Sequence, residues 1–345
     1  MSTSISKAKV LVVMLFWATG YCVAAQSNID FDRALTEFRS GNYAQAATMF
    51  AAVESAVPRT TDALLYRAKC LVHIEDFAGA DQSLRIYLQS HRNSSDALYL
   101  LGFVLNRENR AADSLAVYTQ AAAISPPKSD DLKIVGLDYV LLNDYADAIK
   151  WLGNAVTFDS KNKDAWYYLG RAYYTKSQLN EARKAFQAVL DLDPRDAKAE
   201  NNLGLVLESD AQPSAAIEAF KKAIAWQENE PHASEQPYVN LGSLLIEQGK
   251  IKEAVDPLEK AVKLAPENAY CRLRLGTAYL RAGEFGGAQR ELEKAIQITP
   301  DDPTAHYQLG RLFQEIHAPE RAKAEFQRTE ELQRRSAGSA PSQNR

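Results

Sequence analysis

The chain has 345 residues, 46% of them hydrophobic and 24% charged, with a formal net charge of −4. That length holds two ordinary domains or one long repeat array, and the composition is that of a soluble globular protein. The acidic balance excludes the basic footprint by which proteins hold nucleic acid.

The first 25 residues differ from the rest: Lys7 and Lys9 precede an apolar run from Val10, and Val23-Ala24-Ala25 places small residues just before Gln26. This is the layout of a secretory signal peptide (residues 1–25), with cleavage expected after Ala25. The 16 residues from Val10 to Ala25 fall short of the roughly 20 that a spanning helix needs; an uncleaved membrane anchor is the alternative. Cys22 follows Thr19-Gly20-Tyr21, which is not the setting of a lipidated cysteine. Without this segment, 38 Lys and Arg face 44 Asp and Glu, a charge of −6. Cys70 and Cys271 then remain, about 200 residues apart; no disulfide is expected between them, and each reads as an apolar packing residue.

From Ser27 onward the chain repeats every 34 residues. The clearest unit contains Trp166-Tyr167-Tyr168-Leu169-Gly170, then Tyr173, Ala182, Phe186 and Asp193-Pro194. With Lys163 as position 1, position 8 reads Ala34, Ala68, Gly102, Gly136, Gly170, Gly204, Gly242, Gly276 and Gly310. Position 20 is small in the same nine frames, Ala46 to Ala322 with Ser114 the one non-alanine, and position 24 is large, Phe50 to Phe326. The frame slips once, by four residues, after Glu230. The repeats are therefore 27–60, 61–94, 95–128, 129–162, 163–196, 197–230, 235–268, 269–302 and 303–336.

Each column has a steric reading. Apolar residues three and four apart predict two amphipathic helices per repeat. Small residues at positions 8 and 20 are expected to face one another. Pro58, Pro126, Pro194, Pro266 and Pro300 at position 32 stop the second helix. Asn42, Asp76, Asp144 and Glu284 at position 16 are expected to cap it. In the first repeat Asp30, Arg33 and Glu37 stand at usually apolar positions, giving a polar end face. Pro257 is expected to kink its helix, and residues 227–236 to form a longer loop. Residues 337–345 read as a disordered tail.

This pattern strongly resembles the tetratricopeptide repeat. The resemblance implies an all-α fold, a right-handed superhelical solenoid of antiparallel helix hairpins spanning residues 26–336. It also implies that positions 2, 5, 6, 9, 12 and 13 of the first helices line a concave groove. On that basis Tyr167, Arg171, Tyr174, Asn201, Asn202 and Asn240 are the candidate peptide-binding centre, with Arg274 and Arg311 favouring acidic groups. Tyrosine and arginine often dominate interface energies, and asparagine can hydrogen-bond a peptide backbone. The alternative is that tyrosines at positions 5 and 6 pack against the next repeat. The chaperone-binding members' clamp is missing: Lys133 stands at its first position, but Leu137 and Tyr168 replace the asparagines.

No His-Glu-x-x-His, Gly-x-Ser-x-Gly, phosphate-binding Gly-Lys-Ser/Thr or Cys-x-x-Cys motif occurs, and the five histidines lack metal-ligand spacing. The sequence therefore predicts no catalysis, no metal and no cofactor. The expected function is an exported, periplasmic or secreted scaffold that binds a protein or an extended peptide, not nucleic acid. The alternatives are a structural component of a bacterial envelope assembly (secretion, pilus or polysaccharide machinery) or the accessory, sugar-binding arm of a separate enzyme.

Overall fold

The computed structural model describes residues 30–56, 62–228 and 230–338. The expected signal segment, Pro58 and the tail from 339 onward lie outside them. All regular structure among the described residues is helical. The chain divides into two compact units, Met1–Lys176 and Ser177–Arg345, and the division falls inside the fifth 34-residue frame.

The first unit carries α1 (30–39), α2 (Tyr43–Ala56), α3 (Ala63–His73), α4 (Phe77–Ser90) and α5 (Ser95–Arg107). It continues with α6 (Ala111–Ala122), α7 (Ser129–Leu141), α8 (Tyr145–Phe158) and α9 (Lys163–Thr175). The second carries α10 (Leu179–Leu192), α11 (Ala197–Ser209), α12 (Pro213–Gln227), α13 (Gln236–Glu247) and α14 (Ile251–Leu264). Last come α15 (Ala269–Ala282), α16 (Phe285–Ile298), α17 (Pro303–Glu315) and α18 (Pro319–Gly338). Within each unit, helices pack mainly on their neighbours in sequence, with a weaker contact from each first helix to the next. Such an array buries its apolar side chains between stacked hairpins, in three clusters in the first unit and one in the second among the described residues.

The glycine column faces position 20, as Ser114 Oγ lying 2.8 Å from the Gly102 carbonyl oxygen shows, and it also meets position 24. A Cβ added to Gly102 would lie 2.5 Å from the Tyr118 ring, and one on Gly204 would lie 2.5 Å from the Phe220 ring. Gly136, Gly276 and Gly310 stand in the same way against Leu152, Leu292 and Phe326. The large position-24 side chain thus lies flat across the first helix where its Cβ is missing. Phe50, Leu84, Phe186, Phe220 and Leu258 are all fully buried.

The turn between the two helices of a hairpin carries one residue of positive φ, always at position 15. Glycine fills it at Gly41, Gly249 and Gly283, but Glu75, Asn109, Asn143, Ser177, Ala211 and His317 adopt it with φ between 55° and 60°. A left-handed L-residue costs roughly 1–2 kcal/mol, which the hairpin packing must offset.

The position-16 expectation holds in part. The Asp76 and Asp144 carboxylates accept hydrogen bonds from the backbone N–H of Gly79 and Asp147. Glu284 makes no cap, and Asn42 donates its amide to Glu37 instead. First helices are capped too, by Asn162, Asp196, Asn268 and Asp302 one residue ahead of them. Helix α14 runs through the buried Pro257 as one uninterrupted element. In the 227–236 loop the Gln227 side-chain amide donates to the Ser234 carbonyl at 2.7 Å and accepts from the Ser234 N–H at 3.0 Å. One glutamine therefore closes the insertion as a backbone pair would. Cys70 and Cys271 are free and fully buried, and burial pushes both thiols up to about 11.

Position 4 has a role beyond packing. Trp166 Nε1 donates to the Ser160 carbonyl at 3.0 Å, Arg272 Nε to the Pro266 carbonyl at 2.6 Å, and His306 Nε2 lies 3.0 Å from the Pro300 carbonyl. All three carbonyls stand at position 32 of the preceding repeat, where the chain leaves its helix. Three unlike side chains thus present an N–H to the same loop. Arg272 and His306 also reach a position-23 glutamate on the second helix, Glu291 at 2.7 Å and Glu325 at 2.6 Å.

Candidate protein-interaction surface

In the first unit, Tyr167, Arg171 and Tyr174 lie on α9, one turn apart along one face. The Arg171 guanidinium sits over the Tyr167 ring, 5.9 Å from its centroid, and Tyr167 meets Tyr168 edge to face at 5.5 Å. Arg171 is exposed, whereas the three tyrosines are half-buried. Other aromatics on this face are committed: Tyr99 donates to the Ser125 carbonyl at 2.6 Å, and Tyr66 packs on Phe31, Phe38 and Phe50 under Lys69.

In the second unit, Asn240 Nδ2 donates to the buried Asn201 Oδ1 at 2.9 Å. These two asparagines therefore join α13 to α11. Asn202 turns its amide back to the Lys198 carbonyl of its own helix at 2.7 Å. Arg274 is held by Ser243, with Nε 2.8 Å from Oγ, and by Glu247 at 3.4 Å. Glu208, beside this group, has its carboxyl raised by burial and then by Glu247, with Arg274 opposing. Arg281 donates to the Ile246 carbonyl at 3.1 Å. Arg311 is half-buried and has no hydrogen-bond or ion-pair partner among the described residues. One turn before it on α17, Tyr307 is 46% exposed and packs on Phe326, while Tyr270, 51% exposed, lies under Arg274 with the guanidinium 6.0 Å from its ring centroid.

The eight candidates therefore divide by what already holds them. Asn201, Asn240 and Arg274 join one repeat to the next, while Arg171 and Arg311 carry guanidinium groups that no carboxylate among the described residues neutralises. Tyr270 was among the groove positions but not among the candidates; its position-2 place on the first helix was the available signal. Among the described residues no cluster of His, Cys, Asp and Glu could hold a metal, and no helix is long and apolar enough to cross a membrane.

A surface of this kind, on stacked helix hairpins, defines a helical-repeat binding protein. Family models described as tetratricopeptide repeat match residues 31–95 and 74–129, 139–205 and 245–292, and 195–267, and one described as TPR repeat matches 276–316. The chain belongs to the tetratricopeptide repeat family. It is 27% identical over 166 residues to human protein O-mannosyl-transferase TMTC3 (48% of this chain, 18% of that protein). It is 25% identical over 227 residues to mouse BBSome complex member BBS4 (63% of this chain, 36% of that one). It is also 28% identical over 109 residues to the type IV pilus assembly protein PilF of Pseudomonas aeruginosa (31% and 42%). The chain thus spans less than half of each of these relatives. A tetratricopeptide repeat protein from Parabacteroides merdae superposes with a TM-score of 0.57 at 17% identity, covering 73% of this chain and 97% of that one, which shows the shared fold.

Proposed function

We propose that this protein is an exported scaffold that binds an extended segment of a partner protein on the first-helix face of its repeats, without catalysing a reaction. The carrying observation is one arginine in each unit without a carboxylate partner among the described residues: Arg171 over the half-buried Tyr167, and Arg311 one turn from the exposed Tyr307. In the second unit the side chains of Asn201, Asn240 and Arg274 are taken up in joining one repeat to the next. An arginine left with its fork of donors open can take a carboxylate through two hydrogen bonds, and tyrosine supplies contact area at low entropy cost. Export rests on the signal-like layout of residues 1–25. A second reading, a fixed part in an envelope assembly, is supported by the similarity to a pilus assembly protein over one third of the chain. Affinity capture from cell-envelope extract with crosslinking mass spectrometry separates the two. Crosslinks confined to first helices around Arg171 and Arg311 support groove binding. Crosslinks spread over the second helices, in a stable stoichiometric complex, refute it in favour of assembly.

A further inference from the structure

Asp138 stands on α7 at position 10, where the other repeats carry Thr36, Cys70, Val104, Ala172, Val206, Leu244, Ala278 and Leu312, and is the one charged residue of that column. It is 0% exposed. Ser114 on α6 is the one residue other than alanine at position 20. These two departures from their columns, in adjacent repeats, meet in space. Ser114 Oγ lies 2.6 Å from Asp138 Oδ2, and Asn106 Nδ2 on α5 donates to Asp138 Oδ1 at 2.8 Å. Ser114 Oγ also lies 2.8 Å from the Gly102 carbonyl oxygen.

The proton count decides what this cluster is. A serine hydroxyl has one proton; a carbonyl oxygen and an ionised carboxylate can only accept. With Asp138 ionised, Ser114 can donate to only one of its two neighbours, so its oxygen faces a lone pair of the other at 2.6 or 2.8 Å in the core. With a proton on Oδ2, Asp138 donates to Ser114 Oγ, Ser114 donates to Gly102, and Asn106 donates to Oδ1. Every contact is then satisfied in one direction. No lysine, arginine or histidine bonds or ion-pairs with Asp138 among the described residues. The ionisable group that interacts with it is Tyr118 on α6, which also interacts with Asp130 and Asp131, two turns earlier on α7. The Tyr118 phenol is itself raised beyond its usual range by burial and by these acids. Helices α8 and α9, which also pack on α7, bring no charged partner to it.

We propose that Asp138 is a proton-operated lock: one proton, taken up at Oδ2, closes the junction between the α5–α6 hairpin and α7, and its release loosens that junction. The lock is independent of what the repeats bind. Burial pushes this carboxyl up to about 6, opposed by the hydrogen bonds that Ser114 and Asn106 make to its ionised form, so the lock operates in the mildly acidic range.

The test uses the full chain. The side-chain carboxyl of Asp138 is titrated by carbon NMR, and hydrogen exchange of α5 to α7 is followed from pH 4 to 8 in the native chain, Asp138→Asn and Ser114→Ala. Asparagine reproduces the protonated pattern, since its amide can donate to Ser114 and its oxygen can accept from Asn106. The expected result is titration near 6. Exchange in α5–α7 should match Asp138→Asn at pH 4 and be faster on the order of a hundredfold at pH 8, the factor a two-unit shift allows. Ser114→Ala leaves the Oδ2 proton without its acceptor, so exchange in α5–α7 should be fast at pH 4 as well as at pH 8. Titration near the ordinary carboxylate value, or the same pH dependence with and without the carboxyl, overturns the lock. If Asp138→Asn fails to fold by circular dichroism, the titration of the native chain decides alone.

Discussion

Replacing Arg272 with methionine would test how the eighth repeat is held. Two bonds are lost: Nε to the Pro266 carbonyl at 2.6 Å and Nη1 to Glu291 at 2.7 Å. The two side chains are 10% and 8% exposed. Methionine fills much of the same space, so the cavity contribution is small. What remains is a buried carboxylate held by Arg290 alone, whose own side chain is 58% exposed. Breaking a buried pair by removing one partner costs about 3–5 kcal/mol. Arg290 offsets part of that, and the unpaired Pro266 carbonyl adds about 1 kcal/mol, for a loss of about 3 kcal/mol. Urea unfolding should show it as a lower midpoint at unchanged slope. Replacing Glu291 with methionine as well removes the stranded charge, so the double variant should be more stable than Arg272→Met. The coupling energy should exceed about 1.5 kcal/mol. A loss under about 1 kcal/mol, or additive single effects, would refute the pairing as the origin of the stability.

Ala211→Gly relieves a left-handed alanine and should stabilise the second unit by about 1 kcal/mol; a lower melting temperature would contradict this. Gly204→Ala places a Cβ 2.5 Å from the Phe220 ring and should cost about 1–3 kcal/mol in urea unfolding, whereas an unchanged midpoint would mean the ring moves freely. For Asp138 the folded value of about 6 lies above the ordinary 3.8. The folded chain therefore binds the extra proton between those values, and stability falls as pH rises through that window. Asp138→Asn should remove this slope and be more stable by about 2–3 kcal/mol at pH 7.5, with little difference at pH 4.

The all-α repeat fold was legible because its period is written in residue size. Gly204, Ala216 and Phe220 recur as the same three columns down the chain, and close helix approach tolerates few other choices. The partner of each column was less legible: periodicity places Gly204 on a face but does not say that the Phe220 ring lies where its Cβ would be. The left-handed residue at position 15 was invisible, since Glu75, Ala211 and His317 carry no conformational signature. The polar candidates were the least legible. Asn201 and Asn202 are adjacent and alike in sequence, yet one pairs with Asn240 across repeats and the other turns back on its own helix. Which polar group is already satisfied depends on the neighbouring repeat, some 35 residues away in the chain. The position-4 donors were hidden for a different reason, because Trp166, Arg272 and His306 share an N–H and little else.

The most direct test of the scaffold reading is the affinity of a captured partner for the native chain, Arg171→Ala, Arg311→Ala and Lys294→Ala. Lys294 is exposed on the second helix of its repeat and serves as the control. The account predicts that each arginine variant binds at least about tenfold more weakly, as expected for a lost charge-assisted contact, while Lys294→Ala binds as the native chain does. Equal affinity across all four would contradict it and place the binding surface elsewhere.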